Sequence, residues 1–558
     1  MTRGLRTSLF LLLLGTPAVA AEDLAGLSAR FWRWRAETQP ITGDDIPRVA
    51  RPAGWVPEWS AAAVASRRKG LAELEQQWKT LPPSTDVPTE IDRRLLGSAL
   101  ARVHWELDRL AGWRRNPGFY VDQTVGAVFD ALQPPPPFDA MRSRDLVRRV
   151  EAIPGLLDQG RANLDQMRAP FARLAIDSLK DIEPRFQSMA TALAPQLAPE
   201  ARKALGPAAK RAAEALGAFR GWVEQKLSGL PEDTAAGRDN YLFFLREVGL
   251  VPFTPEQLVA MGRQELDRAL TSEALARARG RGAPPLVAPA TAQAVVDREL
   301  ADEPRVRRFL EEKELLTLPA WLHHYRFRIL PPYMAPIVDV GQPDDLTGVG
   351  RLDQDGTAWV DTPSPEQGYF ESIGARDPRF QIAHEGMHYF QAALSAANPD
   401  PARRQYYDSG TPEGLAFYTE EMLLLAGLFD DSPHAPEVIY NMMRLRALRV
   451  EVDVKLALGE FTPAQAEQYL VDTVPMDRKT ARGEAALFST TPGQAITYQI
   501  GKLQILRLVA DARLKQGEKF RLRQVHDFLF SNGYLPLSLI RWQYLGLRDE
   551  VDRLEKLR

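Results

Sequence analysis

Apolar residues recur at spacings of three and four through most of the first 320 positions, which is the period of an amphipathic helix. Leu95–Trp113 (LLGSALARVHWELDRLAGW) follows this period, and Ala201–Leu227 sets an alanine-rich face against alternating charges. Thr254 followed by Pro255 supplies an N-cap and a first-turn proline for a further helix. These patterns predict a helical N-terminal region over residues 21–320.

The pattern changes near residue 324. His324–Leu330 (HYRFRIL) and Thr357–Asp361 (TAWVD) have the alternation and β-forming residues typical of strands. Two strands are too few for a parallel α/β sheet, so we expect a mainly α fold with a small β-sheet next to the active-site helices, within a catalytic region over residues 321–558. Helical spacing returns after the strands and predicts helices over Arg379–Ala396, Pro412–Gly427, Pro436–Leu458, Thr462–Val471, Gln494–Gln516 and Leu522–Asn532.

The first twenty residues resemble a secretory signal peptide. Arg3 and Arg6 precede a short apolar run, and Ala18 and Ala20 provide the small residues of a cleavage site. The run is much shorter than the ~20 residues of a membrane span. We therefore predict that residues 1–20 are removed and that the protein is exported, most simply to a periplasm, with no membrane insertion afterwards. The alternative is an uncleaved anchor or a buried N-terminal helix.

Composition narrows the chemistry further. The chain of 558 residues has no cysteine, seven histidines and a formal net charge of −3. Absence of cysteine excludes disulfides, thiol catalysis and cysteine-ligated metals, which leaves histidine and carboxylates as the strong zinc ligands. The nearly balanced charge provides no basic field for nucleic acid. The sequence does not indicate an oligomeric state.

The segment QIAHEGMHYFQ carries the strongest chemical signal in the chain. His384 and His388 stand four residues apart, so both imidazoles of a helix reach one ion from the same face. Glu385 projects beside that ion, where a carboxylate can accept a proton from water. The motif predicts a Zn²⁺ site. The alternative is a pair of histidines satisfied on a helix face, with Glu385 as a solvated charge.

A zinc site of this kind needs a third protein ligand. No other histidine follows at the short spacing used by three-histidine proteases, so a carboxylate is the better candidate. Glu413 begins a later helix and can complete the site, although it could also only complement the helix N-terminus. Glu420 lies two turns further along and could orient an imidazole. Glu421 or Asp408 could compete for either role.

Other candidate residues concern the substrate. A tetrahedral oxyanion needs a hydrogen-bond donor, and Tyr498 in PGQAITYQ is our first choice because a phenol donates without carrying charge. His526 is the second candidate donor. Arg446 and Arg449 follow the ligand helix, and either could bind a substrate carboxylate bidentately. The alternatives are a core tyrosine, a structural histidine and surface ion pairs.

These motifs together resemble the bacterial domain-of-unknown-function 885 family, from about residue 240 to the end of the chain. The family is similar to helical zinc metallopeptidases of the gluzincin type. The resemblance therefore implies a large helical metallopeptidase-like fold, with His384, His388 and Glu413 as zinc ligands and Glu385 as general base. The segments that carry it are TPEQLVAMGRQELDR, LPPYMAP, HEGMHYFQ, EGLAFYTE, MRLRALRVEVDVKLALGEFTPAQAEQYL, TTPGQAITYQIGKLQILRL and VHDFLFSNGYLPLSLI.

The chain departs from the usual pattern of that family at three points, one of which is Asp453–Ala457, a segment where the family often has a histidine. Its two histidines have a plain four-residue spacing without inserted residues, which favours a regular helix and a well-formed site. Leu415 stands where the family usually has tryptophan, a change that concerns the substrate pocket rather than the metal.

We therefore expect an exported zinc-dependent hydrolase, a metallopeptidase that cleaves short peptides by glutamate-assisted attack of water. The resemblance implies a deep channel between helical halves that admits short or extended substrates. Two alternatives stay open at this point. One is a zinc amidase or esterase acting on a non-peptide small molecule, and the other is a catalytically inactive helical binding protein.

Overall fold

Helices form most of the computed structural model, which describes residues 23–42, 49–341, 344–348 and 350–557. The mainly α fold with a small sheet is therefore confirmed. The signal peptide predicted at residues 1–20 lies outside the described residues. Within the described ranges, no helix combines the length and the apolar character that crossing a membrane requires.

The N-terminal region is helical, as predicted. Its helices are α1 (Leu24–Thr38), α2 (Ala61–Thr80), α3 (Val87–His104), α4 (Gly112–Arg115), α5 (Pro117–Val121), α6 (Ala127–Leu132), α7 (Ala140–Asn163), α8 (Ala169–Ser178), α9 (Ile182–Leu193), α10 (Pro199–Lys226), α11 (Arg238–Phe243), α12 (Pro255–Arg279) and α13 (Ala292–Glu312). Short π-helical turns extend α3, α5 and α11 over Trp105–Arg109, Asp122–Gly126 and Phe244–Val248.

Local sequence explains where these helices begin and end. Thr254 accepts the backbone N–H of Gln257 and the Gln257 side chain accepts that of Thr254, so a capping box opens α12 at Pro255 as predicted. The continuous helix expected over Leu95–Trp113 is broken instead. The break falls at Ala111, whose φ of 48° is left-handed and ends the helical path.

The second half carries the sheet and the remaining helices. These are β1 (Tyr325–Ile329), β2 (Asp344–Asp345), β3 (Gly356–Val360), α14 (Tyr369–Arg376), α15 (Pro378–Gln381), α16 (Met387–Ala396), α17 (Pro401–Gln405), α18 (Gly410–Ala426), α19 (Ala435–Leu458), α20 (Pro463–Thr473), α21 (Arg478–Thr490), α22 (Ile496–Gln516), α23 (Leu522–Ser531), α24 (Leu537–Leu545) and α25 (Asp549–Leu557). A π-helical turn over Ile382–Gly386 joins α15 to α16. Strands β1 and β3 and the predicted helices are present, whereas α14, α17, α21, α24 and α25 were not predicted.

The three strands form a mixed sheet in the order β1-β3-β2. Strand β1 runs parallel to β3 with Tyr325 opposite Gly356, and β2 pairs antiparallel to β3. Strand β2 consists of two aspartates, which give no apolar alternation for sequence analysis to detect. The Tyr325 ring stacks on Tyr389 of α16 with centroids 6.3 Å apart. The sheet therefore packs beside the helix that carries the histidine motif.

Helices α18 and α22 cross with their backbones in contact. A Cβ atom built on Gly501 of α22 would lie 2.8 Å from the Cα atom of Gly414 and would also meet the carbonyl oxygen of Gly410. Only glycine permits this approach. The crossing brings Glu413 of α18 and Tyr498 of α22 to one cavity.

One apolar core joins the two halves of the chain. Its buried residues run from Leu27 of α1 to Leu554 of α25. The Trp359 indole of β3 also donates to the Gln133 carbonyl, which lies after α6. The division into two regions at residue 320 remains a prediction. Residues from before and after that position pack in the same core.

Candidate metal centre

The histidine motif lies in an irregular helix. His384 belongs to the π-helical turn Ile382–Gly386, and His388 lies in the first turn of α16. The regular helix predicted from the plain spacing is therefore wrong at this turn. The hydroxyl of Thr419 on α18 lies 3.0 Å from the Ala383 carbonyl oxygen and 2.8 Å from that of Ala416 in its own helix, so a polar side chain from outside the helix contacts the widened turn. The two imidazole rings stand 5.0 Å apart and nearly perpendicular, at 88°.

The three residues chosen as metal ligands come together. Nε2 of His384 lies 3.5 Å from Oε2 of Glu413, and Nε2 of His388 lies 3.6 Å from the same oxygen. One ligand atom from each residue lies within 4.8 Å of the others. Ligand atoms at about 2.0–2.1 Å from a tetrahedral zinc ion stand roughly 3.3 Å apart. Two imidazoles and one carboxylate at this spacing therefore fit a zinc ion.

A buried acid orients the first imidazole. Nδ1 of His384 donates to Oε1 of Glu420 at 2.6 Å, which leaves Nε2 facing Glu413. Arg446 lies on the other side of Glu420, with Nη2 3.5 Å from the same oxygen. Burial alone would raise the pKa of Glu420, but the charges of Arg446 and His384 hold it below its ordinary value. The hydrogen bond from His384 therefore fixes the orientation of the imidazole, and the role of Glu420 beside a metal stays a prediction.

The surrounding carboxylates make the centre favourable for positive charge. Burial lowers the pKa of His384, but hydrogen bonds to Glu413 and Glu420, with the nearby Glu385 charge, raise it to about 10. The centre therefore stabilises a proton on this imidazole. A divalent cation would meet the same electrostatic demand.

A cavity of about 320 Å³ opens directly onto the centre. Its lining includes His384, His388 and Glu413 together with the half-buried Glu385. Tyr498 also lines it, and its ring lies nearly parallel to the His384 imidazole at 14°, with centroids 6.4 Å apart. The candidate base and the candidate oxyanion donor therefore share one cavity with the candidate ligands.

Both arginines singled out from the sequence lie in the wall of this cavity. Arg449 donates through Nε and Nη2 to both oxygens of Glu484, at 2.6 and 2.7 Å. Its guanidinium carbon stands 4.4 Å from the ring centre of Tyr498. Neither arginine forms the surface ion pair that was the alternative, since each is 4% exposed.

Three other candidates lie elsewhere. His526 is buried between the Tyr418 hydroxyl, 3.0 Å from Nε2, and the Leu315 carbonyl, 2.6 Å from Nδ1. Glu421 forms an ion pair of 2.6 Å with the buried Lys502. Asp408 accepts the Gly410 backbone N–H at 2.9 Å. These partners give His526 a structural position, and they separate both acids from the histidine pair.

Part of the cavity wall was not found by sequence analysis. Glu484 is the single acidic residue of α21, and beside basic and small residues it resembles part of a solvated helix face. Ile41, Asp122 and Asp130 come from the N-terminal region, far from the motif in sequence. No local signal marks these residues, because only packing brings them to the site.

A second chamber of about 380 Å³ adjoins the first. The two share lining residues, including Ile41, Asp122, Val340 and Leu487. The second chamber is largely apolar, with Trp59, Trp105, Phe119 and Phe244 among the aromatic side chains in its wall. Each π-helical turn in the described ranges contributes at least one residue to the lining of these two chambers, a placement typical of functional sites.

Comparison with known proteins identifies the class to which the chain belongs. The family described as "Bacterial protein of unknown function (DUF885)" matches residues 47–543, so the chain is a member of that family. The family named from the sequence motifs is thereby confirmed. No curated protein matches the chain significantly.

Two solved structures share the fold. One is described as a "putative lipoprotein of unknown function" from Shewanella oneidensis, at 18% identity and a TM-score of 0.70, covering 94% of this chain and 100% of its own. The other is described as a "putative lipoprotein" from Colwellia psychrerythraea, at 16% identity and a TM-score of 0.75, covering 96% of this chain and 99% of its own. At this level of identity the likeness concerns the fold alone.

Proposed function

We propose that this protein is a zinc-dependent hydrolase, a peptidase that cleaves short peptides. The convergence of two imidazole nitrogens and one carboxylate oxygen within 4.8 Å carries the proposal. Glu385 and Tyr498 support it, because both line the same cavity as the three candidate ligand residues. In this proposal His384, His388 and Glu413 hold the ion.

The chain's own residues would move the proton. A bound zinc ion supplies Lewis acidity, which polarises a carbonyl and lowers the pKa of water. Glu385 accepts a proton from the water that attacks the scissile carbonyl carbon. It then passes that proton to the amide nitrogen as the C–N bond breaks, so the products are a carboxylate and an amine.

Tyr498 would stabilise the charge that develops on the carbonyl oxygen. A phenol donates a hydrogen bond without requiring a counter-charge. Its position beside His384 holds the ring next to the candidate ligands, with 7% of the residue exposed. A donor fixed in advance in a buried cavity favours the transition state over the ground state.

We also propose export. The charged and apolar pattern of residues 1–20 supports it, as do the descriptions of the two structural relatives as lipoproteins. This chain has no cysteine to carry a lipid. The proposal is therefore export to a compartment such as the periplasm.

The test compares metal content with turnover. We expect about one zinc ion per chain in the purified protein and loss of peptide hydrolysis after chelation. Glu385→Gln should keep the metal and lower turnover by about 10²–10⁴-fold, since it removes the proton acceptor. Glu371→Gln is the matched control, because Glu371 accepts the backbone N–H of Gly368 at the start of α14.

Three outcomes would contradict parts of this proposal. Full activity of Glu385→Gln would exclude the mechanism. A chain that binds no zinc would favour a helical binding protein. Hydrolysis of small amides or esters without any activity on a dipeptide library would favour the non-peptide alternative.

A further inference from the structure

We infer that Arg446 and Arg449 bind the terminal carboxylate of the substrate, so that the protein shortens peptides from their carboxyl end. The inference rests on the proposed hydrolase function and adds the class of substrate to it. It concerns the two arginines in the cavity wall beside Tyr498. The proposed hydrolytic step uses Tyr498 but neither arginine.

Donors without acceptors carry the inference. Nε and Nη1 of Arg446 and Nη1 of Arg449 are buried and have no hydrogen-bond partner among the described residues. Buried polar atoms in folded proteins normally have partners. Each residue is 4% exposed, so bulk water does not surround these groups. Two such guanidinium groups in one cavity wall indicate that an anionic ligand completes the site.

The remaining donors of both arginines hold them in place. Glu484 binds Nε and Nη2 of Arg449 in a two-point interaction, and Glu420 lies 3.5 Å from Nη2 of Arg446. The Phe370 ring lies 5.4 and 5.5 Å from the two guanidinium carbons. The pair is therefore fixed before a ligand arrives, and a planar carboxylate suits the fork geometry of guanidinium donors.

Distances suit a substrate with a short carboxyl-terminal part. The guanidinium carbon of Arg449 is 4.4 Å from the Tyr498 ring centre, which is 6.4 Å from the His384 ring centre. Each residue of extended peptide spans about 3.3–3.6 Å. A scissile carbonyl beside the ligands therefore leaves room for one or two residues before the terminal carboxylate. The apolar chamber of about 380 Å³ adjoins the cavity and can take the amino-side residues.

A matched pair of peptides tests the inference on the zinc-loaded full chain. One is an N-acetylated tripeptide with a free carboxylate, and the other is the same tripeptide with a carboxamide end. We expect kcat/KM to be about 100-fold higher for the acid, because only the acid forms charge-assisted bonds to both arginines. Removing the N-acetyl group should change the rate little. Equal cleavage of the acid and the carboxamide would overturn the inference.

Variants separate carboxylate binding from structural support. Arg449→Gln and Arg446→Gln should raise KM for the acid about 10- to 100-fold and change KM for the carboxamide much less, since the lost partner is the carboxylate. Arg449→Lys should restore part of the difference. The matched control is Arg444→Gln on the same helix, where Arg444 pairs with Glu273 at 3.3 Å. The control should keep the full preference for the acid.

A binding measurement distinguishes failure of this inference from failure of the proposed function. If the unmodified protein cleaves neither peptide, calorimetry compares binding of N-acetylphenylalanine and its amide in the presence of chelator. At least tenfold tighter binding of the acid would support the carboxylate site while the hydrolase proposal fails. Equal binding would overturn the carboxylate site as well. These measurements need no variant, so they hold even if the arginine substitutions prevent folding.

Discussion

Two adjacent acids of α18 show how much depends on single residues. Glu420 accepts Nδ1 of His384, whereas Glu421 pairs with Lys502 and Arg268. Consecutive residues of a helix point about 100° apart, so one carboxylate reaches the centre and the next faces a separate buried ion pair. In the sequence Glu420 is the first choice for this role, and Glu421 remains a competing candidate.

Glu420→Gln should weaken zinc binding by about 10- to 100-fold. Glutamine can still accept the Nδ1 proton, but it removes the charge that makes the imidazole a stronger ligand. Competition with a chromophoric chelator measures the affinity. Glu421→Gln is the control and should change stability but leave the zinc affinity within about twofold of the original. If both variants lose affinity equally, Glu420 has no specific role.

At the scale of elements, the glycine crossing of α18 and α22 positions the site. Gly414 follows the candidate ligand Glu413 directly, and Gly501 lies one helical turn beyond Tyr498. Their contact fixes the separation between the helix of the candidate ligand Glu413 and the helix of the candidate oxyanion donor Tyr498. The distance between Glu413 and Tyr498 thus depends on two glycines, which have no side chain to hold the helices apart.

Gly501→Ala should destabilise the protein by about 1–3 kcal/mol, because the added methyl group meets backbone rather than a movable side chain. We also expect weaker zinc binding, since Glu413 moves with α18. Urea unfolding and zinc titration measure the two effects. Gly206→Ala in α10 is the control: nothing lies within 4 Å of a Cβ there, and alanine favours a helix by about 0.5–1 kcal/mol. Unchanged stability of Gly501→Ala would contradict the close crossing.

At the scale of the whole molecule, residues on both sides of position 320 build the core and the cavity wall. A polar contact also joins the two sides of position 320, because Nε of Arg403 on α17 donates to Asp92 of α3 at 2.9 Å. The candidate ligands belong to the second half, but the cavity above them is closed by the first. Under the proposed function, substrate selection would therefore depend on the assembled chain.

We expect thermal unfolding to occur as one cooperative transition. The halves share a core, so neither half keeps its packing when the other unfolds. Zinc should raise the temperature of the entire transition. The free energy of unfolding should increase by about 2.7 kcal/mol when free zinc is 100-fold above its Kd. Calorimetry with and without chelator measures this shift. Two separate transitions, or a zinc effect on only one of them, would show that the halves fold independently.

Local rules explain what could be predicted about fold and site. The helical period located the main helices of the second half, and the four-residue spacing of His384 and His388 identified the centre, because both depend on neighbouring backbone. Strand β2 was missed because two aspartates have no apolar alternation. Helices α14, α17, α24 and α25 were missed because fewer than ten residues give the helical period little room to recur, and α21 was missed as well. The π-helical turn was also missed, because a side chain of another helix supports it.

The sequence by itself determined the fold class, the family and the residue types able to hold a metal. Only the tertiary structure decided that Glu420 rather than Glu421 serves His384, that Glu484 holds Arg449, and that His526 lies away from the cavity. The physical reason is the separation along the chain over which each kind of interaction acts. Periodicity and capping are set within a few residues, whereas these pairings depend on how helices far apart in the chain cross and pack.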